Sequence, residues 1–251
     1  MLPARRALLS TGSNVGYGRA ANAGVAATGA DWVVVANPDV VWEPGSLDEL
    51  LAAAARWPRA GALGPLIRQP DGQVYPSARA LPTVGRGIGH AVFGWWWPGN
   101  PWSVRYRREN EELHERTAGW LSGSCLLLRR QAFESVGGFD PAYFMYFEDV
   151  DLGYRLAKAG WSSVYCPSAL AIHQGGHSTE RAPAAMADAH HRSAYRYLSR
   201  RYSAPWQAPL RLILKWGLAA RAFLSKRSAK VAAGAVLPDR RIDPNDAHHR
   251  G

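Results

Sequence analysis

The chain is poor in residues that cross-link and lacks runs that span. Only two cysteines occur, Cys125 and Cys166, each in an apolar strand-like run with no CxxC spacing and no local histidine partner. That pattern excludes a disulfide framework and predicts two reduced core thiols of a cytoplasmic protein. No stretch reaches about 18 uninterrupted apolar residues, and the start, MLPARRALLSTGSN, is too short in apolar residues for a signal peptide. Any membrane contact is therefore expected to be peripheral. Neither GxGxxG spacing nor the Lys-Ser/Thr of a P-loop is present; SNVGYG, the nearest glycine pattern, reads as a plain turn. No internal repeat is visible. Acidic residues are missing between Asp188 and Asp239, where Arg192, Arg196, Arg200, Arg201, Arg211, Lys215, Arg221, Lys226, Arg227 and Lys230 all fall.

What is present is a folded composition. With 251 residues, 47% hydrophobic and 20% charged, the chain can build one substantial core plus an appendage. A formal net charge of +10 points to an anionic partner: nucleic acid, a phosphorylated small molecule or an acidic membrane surface. The excess belongs to the C-terminal region.

Helix and strand patterns alternate along the chain. NVGYGRAANAGVAATG reads as a turn and a small-residue helix closed by Gly29, and DWVVVANPD as a buried strand ending in a polar turn. Ser46 with Glu49 three residues on predicts a capping box at a helix start. ALGPLIRQPDGQVYPSAR predicts a hairpin about Asp71-Gly72. From about 81 to 116 periodicity gives way to Gly, Pro and aromatics, which suggests a long functional or lid-like loop. GWLSGSCLLLRR is a strand, QAFESVGGF a short helix ending at a glycine pair, EDVDLGYRLAKAG a helix closed by Gly160, and WSSVYCP a strand. Pro183 opens a helix to about Tyr202, and another is expected from about Ala208 to Lys230. The expected divisions are a main α/β domain over 1–182, a basic helical membrane-proximal extension over 183–237 and a disordered tail over 238–251. Alternating elements of this kind argue for an α/β layered domain with its ligand site at the carboxyl ends of strands.

Three polar positions stand out against these elements. Asp149 opens a helix directly after the aromatic run YFMYF, where the helix dipole favours its charge while the aromatic surroundings and Glu148 oppose it. That competition suits a general base, and an N-cap carboxylate without chemistry is the plainer alternative. Asp151 faces elsewhere and is placed to pair with Arg155 at i,i+4. Asp39 ends a hydrophobic strand, as a turn cap or as a ligand to a hard divalent cation. His173, closing ALAIH, is either a satisfied structural histidine or a further ligand.

In order and spacing, NVGYGRAANAG, VVVANPDV, SGSCLLLRRQAFESVGGFDPAYFMYFEDVDLGYRLAKAG and AIHQGGHS resemble the family 2 glycosyltransferases of GT-A fold, over about residues 8 to 230. Within that family the resemblance is greatest to rhamnosyltransferases that move L-rhamnose from dTDP-L-rhamnose to a polyprenyl-diphosphate-linked GlcNAc in cell-wall linker synthesis. It implies a mixed sheet flanked by helices with a C-terminal helical extension, and an inverting transfer to the 3-hydroxyl of GlcNAc. Asp149 matches the family's base and Asn37-Pro38-Asp39 its DxD element, with Asn37 in place of the first acid. His173 matches the late metal-associated histidine. Asn14, Gly16 and Asn22 match the segment lining the donor nucleotide pocket. The implied cofactor is a divalent cation, Mg²⁺ or Mn²⁺. Family members begin with a strand, a helix and a DNGS-like turn that have no counterpart here, so the upstream reading frame is expected to continue in phase.

Two further expectations concern partners. On a helical wheel, Arg211, Lys215 and Lys226 share a side with Ala219 and Ala222, while Leu212, Ile213, Leu214, Trp216, Phe223 and Leu224 spread over the other. Such a helix suits an anionic bilayer, at the cytoplasmic face of the plasma membrane, or packs on the catalytic domain. Trp95, Trp96, Trp97 and Trp102 suit a lipid interface or an acceptor sugar. Competing readings are a family 2 transferase with another sugar or acceptor, and an inactive nucleotide-sugar binding module. No recognised nucleic-acid fold accompanies the basic charge, so no nucleic-acid partner is expected.

Overall fold

The computed structural model describes residues 7–83, 113–174 and 183–220. Within them the chain runs α1 (Tyr17–Ala26), β1 (Trp32–Ala36), β2 (Val40–Trp42), α2 (Ser46–Arg56), β3 (Ala60–Arg68), β4 (Val74–Tyr75), β5 (Ala78–Arg79), β6 (Arg116–Ala118), β7 (Trp120–Leu121), β8 (Cys125–Arg129), α3 (Arg130–Ser135), α4 (Glu148–Lys158), β9 (Ser162–His173) and α5 (Pro183–Arg201). A further helix, α6, covers 208–220. The tryptophans of the 81–116 loop, the glycines after Gln174 and the basic residues beyond 220 lie outside the described residues.

Seven strands form one mixed sheet in the order β1-β8-β3-β9-β2, with β4 added to β3 and β6 to β9. β3 and β9 are parallel, and β8 is antiparallel to both β1 and β3. β1, β3 and β9 therefore point the same way, and their carboxyl ends share one edge of the sheet. β3 is buried from Ala60 to Ile67, as a strand covered on both faces must be, which explains its unbroken apolar sequence. β8 shows how the two faces divide. Leu126 and Leu128 pack with Val25 of α1, Phe133 of α3 and Leu152 and Leu156 of α4. Leu127 between them packs with Leu50, Ala53 and Ala54 of α2. The result is a helix, sheet, helix sandwich, in which each fully buried leucine is worth about 1.5–3 kcal/mol.

Local structure departs from expectation in three places. The helix at Ser46 starts where expected, yet its N-cap is Gly45 with φ +82, and the Ser46 hydroxyl turns onto β9, donating to Leu170 O at 2.8 Å and accepting from Leu170 N at 3.0 Å. The capping box does not form because a strand backbone offers that hydroxyl both a donor and an acceptor. WSSVYCP and ALAIH are one strand, since β9 passes Pro167 through an irregularity opposite Pro65 and Leu66, where a residue without an N–H is tolerated. α1 ends at Ala26, short of Gly29. The Asp71-Gly72 hairpin forms, with Gly72 at φ +84 and Ile67 paired to Tyr75. Cys125 and Cys166 are free and buried, and burial pushes the Cys125 thiol up to about 12.

Candidate active site

Sheet pairing builds the first half of the site. Ala36, the last residue of β1, pairs with Cys125, and Val40, the first of β2, pairs with His173 at the end of β9. The turn Asn37-Pro38-Asp39 between them is thus pinned beside His173, at the carboxyl ends of β1 and β9. Asn37 N donates to Ser124 O at 2.9 Å, and Gln174 N to Asp39 O at 3.2 Å. His173 Nε2 lies 3.2 Å from Asp39 Oδ1 and 3.2 Å from Asn37 Nδ2. Both the histidine and the aspartate are partly exposed.

The second half is the start of α4. Tyr146 and Phe147 both take φ +67, a conformation that costs a non-glycine residue on the order of 1 kcal/mol or more. This corner turns the chain so that Glu148 and Asp149 become the first helical residues. Asp149 Oδ2 accepts from Gly123 N at 2.9 Å and Oδ1 from Val150 N at 2.8 Å. Burial raises the Asp149 pKa, opposed by these backbone donors and by the charge of Arg79. Glu148 is buried, its Oε2 has no hydrogen-bond partner, and burial with the neighbouring Asp149 charge pushes it up to about 7. Burial and the Asp149 charge thus both favour the protonated form of Glu148.

Gly123 joins the two halves. Its N–H binds Asp149, its carbonyl accepts the Tyr17 hydroxyl, and the next residue, Ser124, holds Asn37. Asp149 and the Asn37, Asp39 and His173 group thus flank one short turn, Ser122-Gly123-Ser124. Asn14 and Gly16 sit at the entrance to α1, where Asn14 Oδ1 accepts from Gly16 N at 3.1 Å. Gly16 has φ +87, and a Cβ there would collide with the Phe144 carbonyl oxygen, so only glycine lets α1 abut the 144–147 segment. Asn22 lies further along α1, its amide bonded to both Phe139 O and Phe139 N at 2.8 and 2.9 Å. It anchors the loop before α4. Asp151 is fully buried, paired with Arg155 at 2.6 Å as its spacing predicts, and also with Arg200 of α5 at 2.7 Å.

Sequence reasoning missed Gly123, Tyr17 and the α5 residues. The SGS triplet between two apolar runs was a signal for a turn, yet its partners lie far away in sequence. Among the described residues no group of three or more His, Cys, Asp or Glu side chains gathers round one point. The set Asp39, His173 and Asn37 still suits a hard cation that takes its remaining oxygens from a diphosphate, because such ions need only one or two protein carboxylates.

The helix-start carboxylate Asp149 and the strand-end group Asn37, Asp39 and His173 are thus gathered about one turn of a helix-flanked mixed sheet. The chain is a glycosyltransferase with a GT-A-like sheet. Residues 5–196 match the model described as glycosyltransferase like family 2, and the chain belongs to that family. It is 59% identical over 233 residues to the N-acetylglucosaminyl-diphospho-decaprenol L-rhamnosyltransferase of Mycobacterium tuberculosis, covering 88% of this chain and 76% of that protein. It is 42% identical over 82 residues to a rhamnosyltransferase of Escherichia coli, covering 33% and 31% of the two chains. Among solved structures, a mannosyltransferase from Pyrobaculum calidifontis in complex with GDP-Man and Mn²⁺ aligns with TM-score 0.48 and 16% identity, over 88% of this chain and 59% of that one.

Proposed function

We propose that the chain transfers L-rhamnose from dTDP-L-rhamnose to the 3-hydroxyl of GlcNAc-diphospho-polyprenol, with inversion. The observation that carries the chemistry is the Asp149 carboxylate, raised in pKa and held by Gly123 beside the Asn37, Asp39 and His173 turn. The donor and acceptor are supported by the extent of identity to the mycobacterial enzyme.

In this reading Asp149 accepts the proton of the acceptor hydroxyl as its oxygen attacks the anomeric carbon. The bond from that carbon to the diphosphate oxygen breaks, and its electron pair leaves with dTDP from the opposite face. A β-linked donor then gives an α-L-rhamnoside, and no covalent enzyme intermediate is required. In its protonated form, which burial favours, Glu148 spares Asp149 a like-charged neighbour. Asp39 and His173, with Asn37 as a neutral third group, would hold a divalent cation, Mg²⁺ or Mn²⁺, whose charge offsets that growing on the diphosphate. Asn14 and Gly16 shape the wall where α1 meets the segment before α4.

The acceptor lipid calls for peripheral attachment at the cytoplasmic face of the plasma membrane. No helix among the described residues is long and apolar enough to cross a membrane. On α6 and the turn before it, Trp206, Leu212, Ile213 and Trp216 are 78%, 57%, 69% and 70% exposed, an apolar ridge beside exposed Lys215 that fits an anionic bilayer surface. Arg211, in contrast, is turned back onto the carbonyls of Tyr202 and Ala204, both at 2.9 Å.

The test is turnover of dTDP-L-rhamnose with a short-chain GlcNAc-diphospho-lipid. Asp149→Asn keeps an acceptor for Gly123 N–H but loses the base, so transfer should fall by about 10²–10⁴-fold with donor binding retained. Asp39→Ala should weaken cation-dependent donor binding instead. An Asp149→Asn enzyme at wild-type rate, or turnover only with another nucleotide sugar, would overturn the proposal.

A further inference from the structure

The corner that aims Asp149 is held by a helix far along the chain. Tyr146 and Phe147, both at φ +67, have no glycine to relieve them, and the N-cap residue Phe147 makes no side-chain capping bond to α4. Within α4 the Phe147 carbonyl accepts from Asp151 N at 2.8 Å, and further contacts come from α5. Ser193 Oγ donates to Met145 O at 3.0 Å. The His190 ring meets Tyr146 and Phe147 edge-on at 5.5 and 5.4 Å between centroids, and fully buried Tyr197 packs on Phe147 at 5.8 Å. One turn further, Arg200 bridges Asp151 of α4 at 2.7 Å and Asp140 at 2.9 Å. α5 thus grips both sides of Glu148 and Asp149, the backbone just before them and the carboxylate just after.

We infer that α5 is a positioning element for the catalytic base, with Ser193 and Arg200 as its positioning residues. This rests on the reading of Asp149 as the base. A strained corner persists only when its surroundings over-determine it. Without the Ser193 hydrogen bond and the Arg200 bridge, Tyr146 and Phe147 relax toward ordinary backbone angles and the first turn of α4 shifts. A shift of about 1 Å in a catalytic group lowers the rate by about 10²-fold at the extreme. The same shift admits water to Asp149, and burial is the largest cause of its raised pKa. Charged and titratable groups that act on it include Glu148 on its own helix, Tyr17 of α1 and Arg79 of β5, and the titratable α5 ring nearest the corner is His190, against Tyr146 and Phe147.

The experiment compares Ser193→Ala, Ser193→Thr, Arg200→Lys and Asp149→Asn in steady-state transfer against pH, with thermal unfolding alongside. Ser193→Ala should lower kcat by about tenfold, leave the donor KM within about twofold, and move the acidic limb of the kcat profile to lower pH; Ser193→Thr, which keeps the hydroxyl, should restore both. Arg200→Lys keeps the charge but loses the fork, and should show the same signature more weakly. A folded Ser193→Ala or Arg200→Lys enzyme with lowered melting temperature but wild-type kcat and an unmoved acidic limb would reduce α5 to a stabilising helix and overturn the inference. If Asp149→Asn itself retains the rate, the base assignment fails, and that outcome is separate from the first.

Discussion

Replacing Glu148 with glutamine tests the electrostatics of the site without touching the base. Glu148 is 7% exposed, with an unpartnered Oε2, and its pKa rises from 4.5 to about 7, chiefly through burial and then through Asp149. Because the folded-state pKa lies above the unfolded one, the folded chain holds the proton more tightly between those values. Stability from this group is therefore complete below about pH 4.5 and is lost as pH rises through about 7. At about 1.4 kcal/mol per pKa unit, the loss is roughly 3 kcal/mol at pH 8 and under about 1 kcal/mol at pH 5. The amide of Glu148→Gln mimics the protonated acid in shape and charge. The variant should match the wild type at pH 5 and exceed it by roughly 3 kcal/mol at pH 8, seen as a melting temperature higher by about 6–10 °C. Urea unfolding at the two pH values, wild type against variant, separates the Glu148 and Asp149 pair from the other titrating residues. A variant that gains nothing between pH 5 and pH 8 would show that Glu148 is ionised in the folded state at little cost, and the account of the paired carboxyls would fall with it.

Two other consequences are open to measurement. Ser46→Ala leaves the N–H of Leu170 without its Ser46 acceptor, while the Leu170 carbonyl keeps the N–H of Glu43 at 3.1 Å, so it should cost about 1–3 kcal/mol in chemical unfolding; a cost below about 0.5 kcal/mol would show that water replaces the hydroxyl. Changing Leu212, Ile213 and Trp216 together to Ser should abolish co-sedimentation with anionic liposomes while leaving transfer to a water-soluble acceptor intact, whereas Arg211→Glu should act mainly on stability because that side chain faces the carbonyls of Tyr202 and Ala204. Unchanged sedimentation of the triple variant would remove the ridge from the membrane model.

The site was legible in the sequence as residue types and became a site only through pairing. Asp39 and His173 each stood at the end of an apolar run, where a polar side chain lacks a core to join. What brings them together is the antiparallel pairing of β2 with β9, which sets Val40 opposite His173 and places Asn37 within 3.2 Å of a histidine 136 positions away. Asp149 was visible as a helix-start carboxylate amid aromatic residues, and its i+2 neighbour Asp151 was separable from it by helical spacing alone. That Asp151 also binds Arg200 was not, since Arg200 falls in the stretch expected to be a basic membrane-proximal extension. In the fold, Arg200 turns inward to Asp140 and Asp151. The Ser46 motif misled for a related reason: its local partners were correct for a capping box, and a strand distant in sequence offered better ones.

What the amino-acid order determined by itself is the short-range part: β3 and β8 as apolar strands, α4 with its carboxylates at the dipole's positive end, the Asp71-Gly72 hairpin and the glycine-closed end of α4. These follow from backbone sterics and from side-chain periods of two and 3.6, which act over a few residues. The tertiary structure alone decided which turn binds Asp149, which helix holds the strained Tyr146-Phe147 corner, and which arginines face inward. Those choices depend on strand order and helix docking, where a hydrogen bond or ion pair is made by whichever partner the packed layers bring within reach.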